Sequence, residues 1–342
     1  MEYKVKILAP ISNINELSRL HQIGATEFYC GYVPDYWTNA FNKINATEEI
    51  IHYQIGINKK DVNVANVTSF DDLNRIVELV NKNKCELFIT INASFYPHFA
   101  YSILKKYFNE LRSLSICNLI VNDIGLLDYL DQFYGEFKIT LSCLSQITNK
   151  EAVSFYKRYN LRRIVFPRHI NYQEAINIAI AHPDLEFEYF VLSGKCIYDD
   201  GYCRCHHDFG QLCTENWDSY FVSRTETSRE MLVNLVEAEQ RFKCWIQNTP
   251  QISCFNQPKV NMGCSLCSIY SVKEIQNICS VKIAGRGKNS YVKEEFVKIT
   301  KNVIDMVDND ENIDTIRNYI KKSYISNEKI CDVNTYCYIR GE

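Results

Sequence analysis

Cysteines are concentrated in one part of this chain, and their spacing is typical of a site that binds a metal ion or a metal cluster. Eight of the 15 cysteines lie between Cys196 and Cys267. Cys196 follows an apolar run that ends at Gly194, and Cys203 comes seven residues later, shortly after Gly201. Glycines let a loop turn sharply, and thiolates on such a loop can bind a metal ion or an iron–sulfur cluster. The segment is therefore predicted to form a metal-binding site.

The spacing by itself leaves the bound group open. Four thiolates would satisfy the irons of a [4Fe–4S] cluster. Zinc is the main alternative, because the Cys203–Cys205 and Cys264–Cys267 pairs could each supply two ligands to a tetrahedral site. A third interpretation is that these thiols are reduced and bind nothing. The other seven cysteines are scattered, and several fall in apolar runs where a buried thiol acts as a small hydrophobe: Cys30, Cys85, Cys117, Cys143, Cys279, Cys331 and Cys337.

Composition predicts a globular chain in a reducing compartment. Of 342 residues, 46% are hydrophobic and 13% are aromatic, which is ample for a core. The net charge of −3, from 38 basic and 41 acidic residues, gives no overall basic field for nucleic acid, although a local patch remains possible. No apolar run approaches the roughly 18 residues of a membrane span. The N-terminal residues lack a signal-peptide core, so we expect a cytoplasmic protein without a disulfide framework.

Short apolar runs alternate with amphipathic segments through the first two-thirds of the chain. This pattern predicts parallel strands joined by right-handed helical crossovers. We predict a TIM-like (β/α) barrel of eight strands, with an open doubly wound sheet as the alternative. The predicted strands are 5–9, 27–32, 87–91, 119–121, 138–141, 163–166, 187–192 and 280–284. The predicted helices are 14–22, 103–111, 125–133, 150–159, 172–181, 292–307 and 313–323, and one more that Ser69 or Asp71 caps.

Residues 194–270 interrupt this repeat. They are predicted to form a cysteine-rich insertion between strands seven and eight, at the end of the barrel that carries active sites. The barrel domain is predicted to span residues 1–325, including the insertion, and residues 326–342 form a C-terminal tail. An irregular, Asn-rich segment is expected between the second strand and about residue 66.

Polar residues at the predicted strand ends are candidates for substrate binding and catalysis. Arg168 follows the sixth strand, and Arg286 follows the eighth, near Lys282 and Lys288 in a second basic spot. A guanidinium there could hold a carboxylate or phosphate through paired donors, whereas the alternative is a salt bridge to a neighbouring loop. Asn92, after the third strand, is the third catalytic candidate. Further residues that could line the pocket or cap helices, with capping favoured for Asp123, are Asn122, Asp123, Ser142 and Gln146.

The cysteine loop resembles the signature of peptidase family U32, in which a cysteine is followed after four residues by Gly-x-Cys. The matching residues are Gly194, Cys196, Gly201 and Cys203. The segments 266–268 and 281–286 are similar to two later elements of the family, and the resemblance covers about residues 5–300. The chain is therefore expected to be a barrel of the U32 type.

The resemblance implies a cofactor and a class of reaction. Some U32 members are described as collagenase-like proteases. Others carry a four-cysteine [4Fe–4S] cluster and support oxygen-independent hydroxylation of a quinone ring or of an RNA pyrimidine. Transferred to this sequence, the implied ligands are Cys196, Cys203, Cys213 and Cys267. Cys205 and Cys264 are alternatives to Cys213.

We therefore predict an iron–sulfur enzyme or enzyme subunit that hydroxylates, or modifies in a related way, a ring or RNA-base substrate. The chain differs from many members at Ala284 and His169, where they have glutamate. One alternative is a peptidase, although neither a His-Glu-x-x-His helix nor a Gly-x-Ser-x-Gly turn is present. Another is a non-catalytic protein that binds metal or passes electrons. Expected partners are a small-molecule, RNA or peptide substrate and a related U32 subunit or electron donor.

Overall fold

The computed structural model describes residues 5–46, 56–60, 65–194, 201, 237, 252–254, 257–260, 263–324 and 337–338. The strands are β1 (Lys6–Pro10), β2 (Glu27–Tyr32), β3 (Asn66–Val67), β4 (Glu86–Ile91), β5 (Asn118–Val121), β6 (Lys138–Leu141), β7 (Leu161–Val165), β8 (Glu186–Leu192), β9 (Ile252–Cys254), β10 (Gln257–Val260) and β11 (Ile278–Ile283). The helices are α1 (Ile14–Ile23), α2 (Asp35–Asn45), α3 (Phe70–Lys82), α4 (Ala100–Ser113), α5 (Ile124–Phe133), α6 (Lys150–Tyr156), α7 (Tyr172–Ala181), α8 (Ser268–Val272), α9 (Ser290–Asp308) and α10 (Ile313–Tyr324).

Eight parallel strands close into a barrel. β1 pairs with β2 on one edge and with β11 on the other, and the order continues through β8, β7, β6, β5 and β4 back to β2. The TIM-like barrel and its eight predicted strands are therefore confirmed. The open doubly wound sheet is wrong, because each of the eight barrel strands pairs with a neighbour on both edges and the sheet closes on itself. β8 and β11 are the seventh and eighth strands of the barrel, and they pair directly. The cysteine-rich insertion therefore lies between strands seven and eight, as predicted.

The helices bury their apolar faces against the barrel, as the sequence spacing predicts. In α3 the apolar residues three and four positions apart are buried. Ser69 accepts a hydrogen bond of 3.3 Å from the backbone N–H of Asp72, so Ser69 is the cap of this helix. No helix in the described part of the chain is long and apolar enough to cross a membrane.

The structure has a helix, α2, where the sequence predicts an irregular segment. Trp37 and Phe41 lie four residues apart on α2, and their stacked rings are buried with centroids 4.8 Å apart. Tyr107 of α4 meets the Trp37 ring edge-on at 6.4 Å. Asparagine and threonine give this segment a weak helix propensity, so these aromatic contacts decide its conformation. The prediction was wrong here because it depended on local sequence alone.

The amino-terminal half of the barrel is filled by charged side chains. Arg163 is fully buried and donates to Glu27 at 2.7 and 2.8 Å, to Glu186 at 2.7 and 2.9 Å, and to Glu188 at 3.1 Å. Around this centre, further ion pairs and hydrogen bonds join strands from every side of the barrel. The ionic network consists of Lys6, Arg162, Arg163, Lys282, Glu27, Glu86, Glu186 and Glu188. Its four formal positive and four formal negative charges balance.

An apolar layer packs against this network on the side of the strand carboxyl ends. Its members are Leu8, Tyr29, Phe88 and Ile120. The ammonium of Lys282 lies 4.4 Å from the Tyr29 ring centroid and donates to Glu188 at 2.9 Å. Of the two interpretations of the basic spot, the salt bridge therefore holds for Lys282. Its side chain points into the barrel, where Glu188 compensates its charge.

Acid is expected to weaken the fold in a window set by this network. Burial alone would raise the pKa of Glu86, but the hydrogen bonds and charges of Arg162 and Lys6 hold it at about 2. Because this folded pKa lies below the ordinary value of 4.5, the contribution of Glu86 is complete above pH 4.5 and is lost as pH falls towards 2. We expect the thermal midpoint, followed by circular dichroism, to fall steeply across this window. Glu86→Gln should flatten that dependence, and a wild-type slope in this variant would contradict the assignment.

Candidate functional site

The carboxyl ends of β4, β5 and β6 carry polar side chains that meet at one rim. Asn92 follows β4 and donates from Nδ2 to the Oγ of Ser142, which follows β6, at 3.2 Å. Asn122 follows β5, donates to the Ala93 carbonyl at 3.5 Å and accepts from Ser145 Oγ at 3.1 Å. The structure therefore brings Asn92, Asn122 and Ser142 together at the mouth of the barrel.

Two polar atoms at this rim have no hydrogen-bond partner among the residues that the structure describes. The Oδ1 of Asn92 and the Nε2 of Gln146 are buried without a hydrogen bond to any described residue. Buried polar groups are normally paired, so these atoms are suited to bind a ligand or a water molecule. Gln146 also marks the path of the cysteine loop, because a Cβ at Gly201 would collide with its side chain and with the Leu144 carbonyl. The loop therefore passes against this rim at Gly201.

Asp123 lies at the same rim but caps a helix. Its carboxylate accepts a hydrogen bond of 2.7 Å from the backbone N–H of Leu126, in the first turn of α5. Burial raises the pKa of this carboxyl, and backbone hydrogen bonds oppose that shift. The contact agrees with the capping interpretation of the sequence.

Arg286 lies after β11 in a buried cluster of neutral polar groups. Its guanidinium donates to Asn58 Oδ1 at 2.9 Å, to Thr90 Oγ1 at 2.5 Å and to Asn66 Oδ1 at 3.4 Å. The residue is 5% exposed, and burial lowers its pKa. Within the described ranges, no carboxylate forms a salt bridge with Arg286. A buried cation that has only neutral partners is suited to bind the anionic group of a ligand.

Gly31 of β2 leaves the space that this cluster occupies. A Cβ at Gly31 would collide with the side chains of Asn66 and Asn58 and with Nη1 of Arg286. The backbone of Arg286 is held as well, since its carbonyl accepts a hydrogen bond of 2.7 Å from Ser12 Oγ. The position of the guanidinium is therefore determined from β2, β3 and β4 together, and Ser12 holds the backbone of Arg286.

Arg168 follows β7 and reaches the end of β8. Its Nη1 donates to the carbonyl of Gly194, and its Cζ lies 5.2 Å from the centroid of the Phe190 ring. A Cβ at Gly194 would lie 2.9 Å from the Cβ of Ala284, two residues before Arg286. The two arginines therefore approach the mouth from the two strands that flank β8.

The chain leaves β8 through a sharp turn that leads to the cysteine loop. Ser193 and Gly194 both have left-handed backbones, with φ of 65° and 73°. Glycine adopts this conformation without strain, whereas serine does so at a cost. The backbone N–H of Ser193 donates to the Gly263 carbonyl at 2.9 Å, which holds the turn against the far end of the insertion. Cys196 follows Gly194 by two residues.

Cys264 and Cys267 lie beside the same end of β8. Cys264 forms an antiparallel bridge with Leu192, and the backbone N–H of Ser265 donates to the Val191 carbonyl at 2.9 Å. Cys267 immediately precedes α8 and is partly exposed. The described part of the insertion thus returns a predicted ligand to the point where the cysteine loop begins, which suits a site shared with that loop.

Most of the predicted ligands lie outside the described residues. These are Cys196, Cys203, Cys213 and the alternative Cys205. Within the described ranges, no group of three or more His, Cys, Asp or Glu side chains is arranged to hold a metal ion. Two cysteines within the barrel strands are buried, and burial raises the pKa of the Cys30 and Cys279 thiols to about 12. They stay neutral and act as small hydrophobes, as predicted.

Comparison with known proteins agrees with the resemblance seen in the sequence. The family model of peptidase family U32 matches residues 13–334. The chain belongs to peptidase family U32. This U32 chain is 21% identical to tRNA hydroxylation protein P of Helicobacter pylori over an alignment 342 positions long, which covers 95% of the chain and 68% of that relative.

Two further proteins resemble this U32 chain. The tRNA hydroxylation protein P of Escherichia coli is 24% identical over an alignment 207 positions long, which covers 59% of the chain and 39% of that relative. The solved structure of the U32 peptidase Mk0906 aligns with a TM-score of 0.47 and 9% identity, covering 83% of this chain and 95% of that chain. The curated relatives are thus longer than this chain.

Sequence reasoning missed the neutral partners of Arg286 in this U32 barrel. Asn58 and Asn66 lie in the segment that was predicted to be irregular, and Thr90 looks like an ordinary strand residue. The available signal was Gly31, because a glycine inside an apolar strand often marks a close approach of other groups.

Proposed function

We propose that this chain is an enzyme, or a subunit of one, that hydroxylates a base in RNA without molecular oxygen. The observation that carries this proposal is the similarity, along 95% of the chain, to a protein named for tRNA hydroxylation. The closed barrel supports it, because barrels of this kind carry their active sites at the carboxyl ends of the strands. RNA is the proposed substrate, and a small anionic molecule is the proposed second ligand.

The proposed binding pocket is the polar mouth of the barrel. Arg286 would bind an anionic group, because the partners of its buried guanidinium in the described part of the chain are neutral. Asn92 would accept a hydrogen bond from the substrate through its unpartnered Oδ1. Arg168 would orient a second acidic group from the end of β7. The apolar layer around Tyr29 and Phe88 would exclude water from the side of the pocket that faces the amino-terminal half of the barrel.

The proposed cofactor is a [4Fe–4S] cluster held by Cys196, Cys203, Cys267 and a fourth cysteine. The described residues fit it, because Cys267 and Cys264 lie beside the strand end from which Cys196 follows. Gly201, between the first two implied ligands, contacts the rim at Gln146. When bound, such a cluster supplies one-electron redox chemistry.

The cofactor can be tested on protein purified without air. We expect iron and sulfide in equal amounts, near four of each per chain, and visible absorption that bleaches on reduction with dithionite. Cys267→Ser should lose most of the iron, because a serine hydroxyl is a poor ligand for such a cluster. Cys117→Ser is the matched control, since Cys117 is exposed and lies on the way into β5. Zinc at one ion per chain with no iron would contradict the cluster.

The reaction can be tested in cells that lack this gene and their complemented counterparts. Nucleosides from purified tRNA and ribosomal RNA would be compared by mass spectrometry, with growth under anaerobic conditions. We expect one pyrimidine to gain an oxygen atom only when the chain is expressed. Cleavage of casein or gelatin that is lost in Cys196→Ala, with unchanged RNA, would favour a peptidase instead.

A further inference from the structure

The C-terminal segment returns to the cysteine site. Residues 337–338 are described, although they lie 13 positions beyond the last described residue of α10. Cys337 forms a parallel bridge with Cys264, which is itself bridged to Leu192 at the end of β8. Three backbone segments therefore lie side by side where the cysteine loop begins. The sequence indicates only a tail in this region.

Tyr338 anchors this segment in the barrel mouth. Its side chain is 1% exposed, its hydroxyl donates to the Ser193 carbonyl, and its ring centroid lies 6.1 Å from that of Phe190. Its backbone N–H donates to the Cys264 carbonyl at 3.2 Å. A Cβ at Gly263 would collide with the Tyr338 ring, so the insertion has a glycine where the tyrosine passes. The position of Cys337 is therefore built into the fold.

The bridge places two thiols on the same face. Residues that are paired across neighbouring strands project their side chains to the same side. Cys264 is followed three positions later by Cys267, and the intervening chain forms a turn in which Ser268 N–H donates to the Ser265 carbonyl at 3.0 Å. Cys337 is partly exposed, unlike the enclosed thiol of Cys30. Cys337 thus lies beside the segment that carries the buried Cys264 and the partly exposed Cys267.

We propose that Cys337 is a ligand of the iron–sulfur cluster and takes the fourth position that the sequence assigns to Cys213. This inference rests on the cluster of the proposed function. It explains why the C-terminal segment is anchored by a buried tyrosine one residue after a cysteine. It also gives the tail a role, since binding of the cluster would tie the C-terminus to the mouth of the barrel.

The experiment compares Cys337→Ser, Cys213→Ser and Cys117→Ser after anaerobic reconstitution. We expect Cys337→Ser to lose at least about half of its iron, or to show the electron paramagnetic resonance signal of a three-iron cluster, because a missing thiolate leaves one iron labile. Cys213→Ser and the control Cys117→Ser should retain the wild-type iron content. Full iron in Cys337→Ser together with loss in Cys213→Ser would overturn the inference.

A second measurement uses the wild-type chain and does not depend on how a variant folds. Iodoacetamide is applied to the apo and the cluster-loaded protein, and alkylated cysteines are identified by mass spectrometry. Cys337 should be alkylated in the apo protein and protected in the loaded one, whereas Cys117 should react in both. Equal reaction of Cys337 in both states would overturn this inference and leave the cluster in place. A wild-type chain without iron would overturn the proposed cofactor, and this inference with it.

Discussion

Arg163→Leu is expected to lower the free energy of unfolding by about 3–5 kcal/mol, because it leaves buried carboxylates without their counter-charge. Arg163 is fully buried and contacts Glu27 and Glu188, which are buried as well, and the half-buried Glu186. A loss of this size is a large part of the stability of an ordinary domain. Urea unfolding, followed by circular dichroism, would measure it.

The control and the rescue variant separate this effect from the loss of any arginine. Arg158→Leu removes an exposed guanidinium that lies 3.9 Å from the Phe155 ring centroid, and should cost less than about 1 kcal/mol. The double variant Arg163→Leu/Glu27→Gln should recover part of the loss, because one stranded charge has been removed. If Arg163→Leu unfolds at the same urea concentration as Arg158→Leu, the network does not hold the barrel together as described.

Arg286→Met is expected to abolish the proposed hydroxylation of RNA with little change in the free energy of unfolding. The guanidinium is buried among neutral groups, so its removal strands no carboxylate in the described part of the chain. The hydrogen bonds that are lost and the desolvated charge that is removed should offset each other to within about 1 kcal/mol. Binding of the anionic ligand should weaken at least about 30-fold, which corresponds to roughly 2 kcal/mol. The amount of hydroxylated nucleoside in RNA and the urea midpoint would be measured on the same variant.

Two further variants, one that displaces the guanidinium and one control, test the assignment of Arg286 to the binding pocket. Gly31→Ala leaves the arginine in place but should displace its guanidinium, since a Cβ would collide with Nη1 and with the Asn58 and Asn66 side chains. It should therefore reduce RNA hydroxylation as well. Arg19→Met is the matched control, because Arg19 lies on the outer surface and pairs with Glu294 at 3.2 Å. Wild-type hydroxylation in Arg286→Met would remove this residue from the site.

Arg163 and Arg286 differ in their partners, and this difference separates the part of the barrel that stabilises the fold from the part proposed to bind a ligand. Arg163 has compensating carboxylates on three contacts and belongs to a closed, neutral network. Arg286 has neutral partners at the mouth, where a ligand can supply the opposite charge. Apolar side chains around Tyr29 and Phe88 pack between these two regions. Stability is therefore expected to depend on the lower half of the barrel and ligand binding on its mouth.

The sequence determined the strands and most of the helices, because their signals are local. Barrel strands that are buried on both faces form short apolar runs, and α3 shows helical spacing after a capping Ser69. It also determined the family, through two cysteines and two glycines at a fixed spacing in the loop after β8. The polar residues at the strand ends could be named for the same reason, since parallel strands place their carboxyl ends at one edge.

Tertiary structure alone decided which distant residues meet. Arg163 and Glu27 are 136 positions apart, and only closure of the barrel brings their charges to 2.7 Å. The partners of Arg286 lie more than 190 positions away in the chain, and Cys337 reaches Cys264 from a segment whose sequence indicates only a tail. Local sequence encodes propensity and periodicity, whereas compensation of a buried charge and the pairing of distant backbone segments depend on distances in space.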